Sequence, residues 1–224
     1  MEPWIGKEEK DAVADYLNSG GWLTEFKETE KFEQLIAEYT GVKHACVVSN
    51  GTVSLFIALV ALGIGKGDDV IVPNLTMIAS ANTVILSGAK PILVDINKQN
   101  LCIDLDVAEK AITKKTKALM FVSLNGRSLD MNKVTSFCKK HNLYLLEDAA
   151  QSLGSKWHGK HLGTFGEIGS FSFSSPKIIT TGQGGALITN DDELIKKIRK
   201  IKDFGRIKRG IDLYESLGFN FKFT

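Results

Sequence analysis

Residues 43–73 read KHACVVSNGTVSLFIALVALGIGKGDDVIVP, and two different periods alternate inside that stretch. A short β-branched run ends at Asn50, a helical pattern of apolar residues runs from Gly51 through Leu62, and a second β-branched run, DVIVP, occupies 69–73. Strand, helix and strand in some thirty residues make a βαβ unit, whose two strands lie parallel. The rhythm continues downstream. A helix from about Thr76 to Leu86 precedes PILVDI (91–96), one around 105–113 precedes KALMFVSL (117–124), and one at 130–140 precedes LYLLED (143–148). These strands are apolar throughout, as parallel strands covered on both faces are. The expected fold is therefore α/β, a mostly parallel sheet covered by helices on both faces.

On either side the pattern differs. Upstream, residues 7–19 and 25–39 carry apolar side chains at helical spacing (Val13, Tyr16, Leu17; then Phe32, Leu35, Ile36, Tyr39), with Gly20 and Gly21 at the join. After Asp148, glycines at 154, 159 and 163 mark a loop or hairpin. SFSFSS (170–175) alternates up to Pro176, TTGQGGALITN (180–190) reads as a glycine turn entering a strand, and an amphipathic helix is expected over 191–203. The final YESLGFNFKFT (214–224) ends on alternating aromatics, as a chain does when it stops inside an element.

With 224 residues, 43% hydrophobic and 24% charged, the chain can bury a core without staples, which excludes disorder. Its 28 basic and 26 acidic residues leave +2, which argues against a dedicated nucleic-acid binder. Cys46, Cys102 and Cys138 are odd in number and lack CxxC spacing, a pattern of reducing compartments rather than of disulfide frameworks or Cys-rich zinc sites. The N-terminal MEPWIGKEEKDAVADYL has charges where a signal peptide needs an apolar core, and no apolar run reaches the ~18 residues of a membrane span. A soluble, cytoplasmic protein is expected, with no metal. GIGKGDD (63–69) lacks the phosphate-loop spacing, and Asp203–Phe204–Gly205 stands without the other kinase elements. His44, His141, His158 and His161 show no paired ligand spacing.

Chemistry concentrates in segments that a parallel sheet brings to one crevice, at the carboxyl ends of its strands. SNGT (49–52) is a small strand-to-helix turn with free N–H groups at a positive dipole end, an anion site in form. Asp148 in EDAAQ (147–151) stands at a strand end, where it reads equally as a functional carboxylate and as a helix N-cap. Lys177 follows a proline between serine-rich and glycine-rich turns, and a lysine partly desolvated there becomes a nucleophile for carbonyls. GFNFK (218–222) is the fourth segment. The run Lys196, Lys197, Arg199, Lys200, Lys202, Arg206, Lys208 and Arg209, broken by one acid, reads as a solvated helix face or as a field for an anionic substrate.

The chain resembles the DegT/DnrJ/EryC1/StrS family of sugar aminotransferases from about Trp4 to its end. The resemblance rests on GWLTEFKETEKFE (21–33), SNGTVSL (49–55), GDDVIVPNLT (67–76), GAKPILVDI (88–96), EDAAQSLG (147–154), SFSFSSPKIITTGQGGALITND (170–191) and LGFNFKF (217–223), in that order. It implies the aspartate-aminotransferase fold (fold type I) and pyridoxal 5'-phosphate. Lys177 resembles the lysine that forms the internal aldimine, and Asp148 the carboxylate paired with the pyridine nitrogen. Gln151 stands near the place of the cofactor's phenolic oxygen. Gly51, Thr52 and Ser172 resemble the phosphate cup, and Asn220 the asparagine that reaches the phosphate of the neighbouring subunit, which implies a homodimer with shared sites. Two positions depart from the family: Met77 stands where an aromatic residue stacks on the ring, and Gln183 where a glutamate is common.

The resemblance also implies the reaction: amino transfer, from glutamate, to a nucleoside-diphosphate keto-sugar, in the synthesis of surface polysaccharides or glycosylated metabolites. A pyridoxal-dependent dehydratase carries histidine in place of Lys177; a non-catalytic large-domain fragment is the other alternative. Residues 1–224 correspond to the large, cofactor-binding domain with an N-terminal helical segment, and the expectation is that the C-terminal small domain is absent and that the chain alone is weakly active or inactive.

Overall fold

The computed structural model describes residues 3–208 and 210–224. Helices α1 (Lys7–Asn18) and α2 (Lys27–Thr40) come first. The alternating part follows as β1 (His44–Val48), α3 (Gly51–Ala61), β2 (Asp69–Pro73), α4 (Ala79–Leu86), β3 (Lys90–Val94), α5 (Leu105–Ala111), β4 (Thr116–Val122), α6 (Met131–Lys140) and β5 (Tyr144–Asp148). A two-strand hairpin, β6 (Lys156–Trp157) and β7 (Lys160–His161), precedes β8 (Ile168–Ser172), β9 (Gly185–Thr189) and α7 (Asp192–Lys202).

The seven-stranded sheet has the order β1-β9-β8-β5-β4-β2-β3. Strands β3, β2, β4, β5 and β8 pair in parallel. Strand β9 lies antiparallel to both β8 and β1, so it alone runs against the other six. The carboxyl ends of those six lie along one edge of the sheet, as the βαβ rhythm requires.

Alternate strand residues feed opposite faces. Cys46, Val48, Val70, Val72, Ala118, Met120, Val122 and Leu187 pack under α3, α4 and α7. On the other face Ile71, Leu119, Phe121 and Leu145 pack with Met131, Val134 and Cys138 of α6, while Ala45, Val47, Phe171, Ala186 and Ile188 pack with Ile36 of α2. Helix starts are secured locally. Asp104, Asp130 and Asp191 each accept two first-turn N–H groups of α5, α6 and α7. Residues 63–69 form the turn from α3 into β2, with Gly63 and Gly67 at positive φ.

Some elements depart from their sequence reading. Helix α4 begins at Ala79, later than the periodicity suggested, because residues 76–78 form a turn at the sheet edge. Strand β3 is only partly buried: it closes one side of the sheet, with Val94 in the core and Leu93 exposed. Helix α1 buries none of its residues. The terminal segment forms no strand, yet it is tied down: Phe221 accepts from Ser49 N–H and donates to Lys202 O, both at 3.0 Å, and Phe223 donates to Glu25.

Charge is buried beside α2 and α7. Lys202, 4% exposed, lies 2.8 Å from Glu25 and 3.7 Å from Glu33, and donates to Val47 O. Arg199 binds the other oxygen of Glu33 at 2.7 Å. Much of the basic run is therefore paired: Lys196 with Glu193, Lys200 with Glu215, Arg206 with Asp203 and Asp212. Arg209 lies outside the described residues. All three cysteines are free and buried. Among the described residues, no helix is long and apolar enough to cross a membrane, and no three His, Cys, Asp or Glu side chains cluster as metal ligands.

Candidate active site

At the carboxyl edge of the sheet lies a cavity of about 310 Å³, and the ends of β1, β2, β4, β5 and β8 all contribute to it. The turn after β1 brings Asn50, Gly51 and Thr52; the turn after β2 brings Thr76 and Met77. Ser123 follows β4, Asp148, Ala150 and Gln151 come from the end of β5, and β8 leads through Ser172 and Ser174 to Lys177. Seven of the eight residues singled out from the sequence line this one space. Asn220 does not: it is exposed and forms an isolated antiparallel bridge with Asp203. Gln183, whose departure had no assigned consequence, is also in the wall.

Each wall residue has a local reason for its place. Asn50 is the N-cap of α3, its Oδ1 accepting Val53 N–H at 2.9 Å. The N–H groups of Gly51 and Thr52 precede the first intrahelical bond and have no acceptor among the described residues. A side chain at Gly51 would put its Cβ 2.8 Å from Ser172 Cβ, so glycine here lets the helix start close against β8. Lys177 rides on a loop closed at its base by Phe173, which donates to Gly184 O at 2.8 Å and accepts from Thr181 N–H at 3.0 Å.

Asp148 begins no helix, so the capping alternative fails. Its Oδ1 instead accepts Ala150 N–H at 3.2 Å in a tight turn, and Oδ2 accepts the hydroxyl of Ser80 at 2.6 Å. Burial pushes this carboxyl above its ordinary range, against the Ser80 bond, the Ala150 bond and the positive charge of Lys177. Gln151 Oε1 accepts Asn125 N–H at 3.0 Å. Its oxygen is thereby committed to the backbone, and its NH₂ is the free end. Ser80 was invisible in the sequence, because its meeting with Thr76 depends on the turn that precedes α4.

This donor set fits a phosphorylated pyridine aldehyde. Free N–H groups at a helix start and the Ser172 hydroxyl suit a phosphate, a buried carboxylate suits a protonated ring nitrogen, an amide NH₂ suits a phenolic oxygen, and a half-buried lysine suits an aldehyde. The model of the DegT/DnrJ/EryC1/StrS aminotransferase family matches residues 3–224. The chain belongs to this family. GDP-perosamine synthase of Caulobacter vibrioides is 42% identical over 223 residues, which are 99% of this chain and 60% of that protein. The aminotransferase from Psychrobacter cryohalolentis superposes with a TM-score of 0.93 at 37% identity, covering 100% of this chain and 60% of its own. NtdA from Bacillus subtilis, solved with bound cofactor PMP, gives 0.89 at 33% identity, covering 98% of this chain and 51% of its own. The chain thus spans about half to 61% of the length of the curated relatives it matches. Pyridoxal phosphate is the cofactor of this family member, and when bound it would supply an electron sink.

Proposed function

We propose that the chain forms the cofactor-binding part of an enzyme that moves an amino group, from glutamate, onto the ketone of a nucleoside-diphosphate keto-sugar. The observation that carries the reading is the meeting of Lys177, Asp148 and the Gly51–Thr52–Ser172 cup in one cavity of a family member. In it Lys177 would hold the cofactor through Nζ and, when released, would carry a proton at that atom. Asp148 would keep the ring nitrogen protonated, the Gln151 NH₂ would donate to the phenolic oxygen, and Met77 would offer the ring a polarisable thioether in place of an aromatic face. Glutamate as donor rests on family resemblance, and a nucleotide-linked sugar as acceptor rests on that and on the nucleotide-linked sugar in the name of GDP-perosamine synthase.

A homodimer with shared sites belongs to the same reading. Exposed Met77, Ile78, Ile178 and Ile179 lie in or beside the segments that wall the cavity, and apolar side chains left in water there suit a second subunit. Asn220 is exposed and outside its own cavity; its Oδ1 accepts Lys222 N–H at 3.4 Å, which leaves its NH₂ to serve the neighbour's.

Borohydride reduction of the yellow protein, followed by peptide mapping, tests the central assignment. The label is expected on Lys177, and Lys177→Ala should lose both the label and transamination; a label elsewhere, or turnover in the variant, overturns it. Labelled glutamate with a panel of keto-sugar nucleotides tests the substrates, and sedimentation of the cofactor-loaded protein tests the dimer.

A further inference from the structure

Asp148 is held by a residue that does not reach the cavity. Ser80 lies fully buried in the first turn of α4 and donates to Asp148 Oδ2 at 2.6 Å. Thr76, which does line the cavity, has its hydroxyl 2.8 Å from Ser80 Oγ. A serine hydroxyl carries one hydrogen, and an ionised carboxylate only accepts. Ser80 therefore gives its hydrogen to Asp148 and takes one from Thr76. The direction of the chain, Thr76 to Ser80 to Asp148, is dictated by the charge at its end.

The second carboxylate oxygen is tethered separately, by Ala150 N–H at 3.2 Å. One oxygen is thus held by α4 and the other by the turn after β5. The two tethers leave Asp148 no freedom to rotate about its terminal bond without breaking a charge-assisted bond. Burial opposes ionisation of Asp148, and the Ser80 bond is the largest influence acting the other way. The cavity end of the same relay is Thr76, which precedes Met77 in the turn after β2.

Taking Asp148 as the partner of the cofactor's ring nitrogen, we infer that Ser80, backed by Thr76, is a positioning residue that holds the Asp148 carboxylate in one orientation toward that nitrogen. Ser80 touches neither cofactor nor substrate; it acts only through Asp148. Its effect is then specific to ligands that possess the nitrogen, which a merely structural role would not be.

The test is a titration, followed by absorbance, of wild type, Ser80→Ala, Ser80→Thr and Thr76→Val with two ligands. One is pyridoxal 5'-phosphate; the other is its 1-deaza analogue, in which CH replaces the ring nitrogen. Ser80→Ala is expected to raise the dissociation constant for pyridoxal phosphate about tenfold or more and to leave that for the analogue unchanged. Ser80→Thr keeps the hydroxyl and should restore wild-type affinity, and Thr76→Val should show a smaller loss with pyridoxal phosphate alone. Equal weakening of both ligands, or of neither, overturns the inference. If Ser80→Ala does not fold, Thr76→Val decides by the same comparison. Wild type binding both ligands equally would overturn the Asp148 assignment, and the inference with it, which separates that failure from a failure of Ser80 itself.

Discussion

Glu147 and Asp148 are adjacent carboxylates, both buried, with opposite duties. Successive strand residues face opposite ways. Glu147 turns from the cavity and accepts N–H groups from Gly163, Phe165 and Gly166 at 2.6–2.8 Å, pinning the turn before β8. Glu147→Gln can offer only one acceptor oxygen to those three donors, so a loss of about 2–4 kcal/mol in chemical denaturation is expected, with cofactor affinity kept in the protein that remains folded. Asp148→Asn should do the reverse: no loss of stability, pyridoxal phosphate bound at least tenfold more weakly, and transamination down roughly 10²-fold or more in single-turnover rates at saturating cofactor. Its effect on the cofactor-free protein has a definite sign. The Asp148 carboxyl is raised above 3.8 by burial, so the unfolded chain ionises it first and folding loses stability as pH climbs from there. Asp148→Asn removes that cost, so without cofactor its melting temperature should match wild type in strong acid and exceed it at neutral pH. Lys177 and Asp148 were legible because each sits where a strand gives way to small residues. Ser80 was not, because a serine among Ala79, Ala81 and Asn82 looks like helix filler until the neighbouring strand end is known.

At the scale of elements, the start of α3 is where packing and binding coincide. Gly185 meets Asn50 from β9, with a would-be Cβ only 2.5 Å from its carbonyl carbon, as Gly51 meets Ser172 from β8. Gly51→Ala must push α3 off the sheet or swing Ser172 out of the cup. A rise in the dissociation constant of pyridoxal phosphate of at least tenfold is expected, checked by titration, with a smaller change for pyridoxal lacking the phosphate. The strand-and-helix alternation was readable for a plain reason: buried parallel strands leave continuous apolar runs. Strand β3 misled because an edge strand wears the same letters as a central one. Helix α7 misled in the other direction. Its buried residues, Leu194, Ile195, Ile198, Ile201 and Lys202, form one stripe, and the lysine at the end of it looks solvated until Glu33 arrives from α2 and Glu25 from the turn before it.

Across the whole molecule, that lysine is a tie between the helical N-terminal segment and the α/β core. Lys202→Met leaves Glu25 and Glu33 buried with less positive charge, for an expected loss of about 3–5 kcal/mol in denaturant unfolding. A triple variant that also makes Glu25→Gln and Glu33→Gln should recover part of it. If Lys202→Met alone matched wild type, the network would contribute nothing to holding the two parts together.

The single reversed strand also sets a clock. Strand β1 has one neighbour in the sheet, β9, which is made roughly 140 residues later, an interval on the order of ten seconds at ribosomal speed. Until then β1 has no strand to close against, and the start of α3 has β8 beside it but not Gly185 of β9. The Gly51–Thr52 half of the phosphate cup waits with them for Ser172 and Lys177. Capture of pyridoxal phosphate by a nascent chain should therefore begin only once β9 has cleared the exit tunnel, and stalled chains of increasing length would show the colour appear in one step.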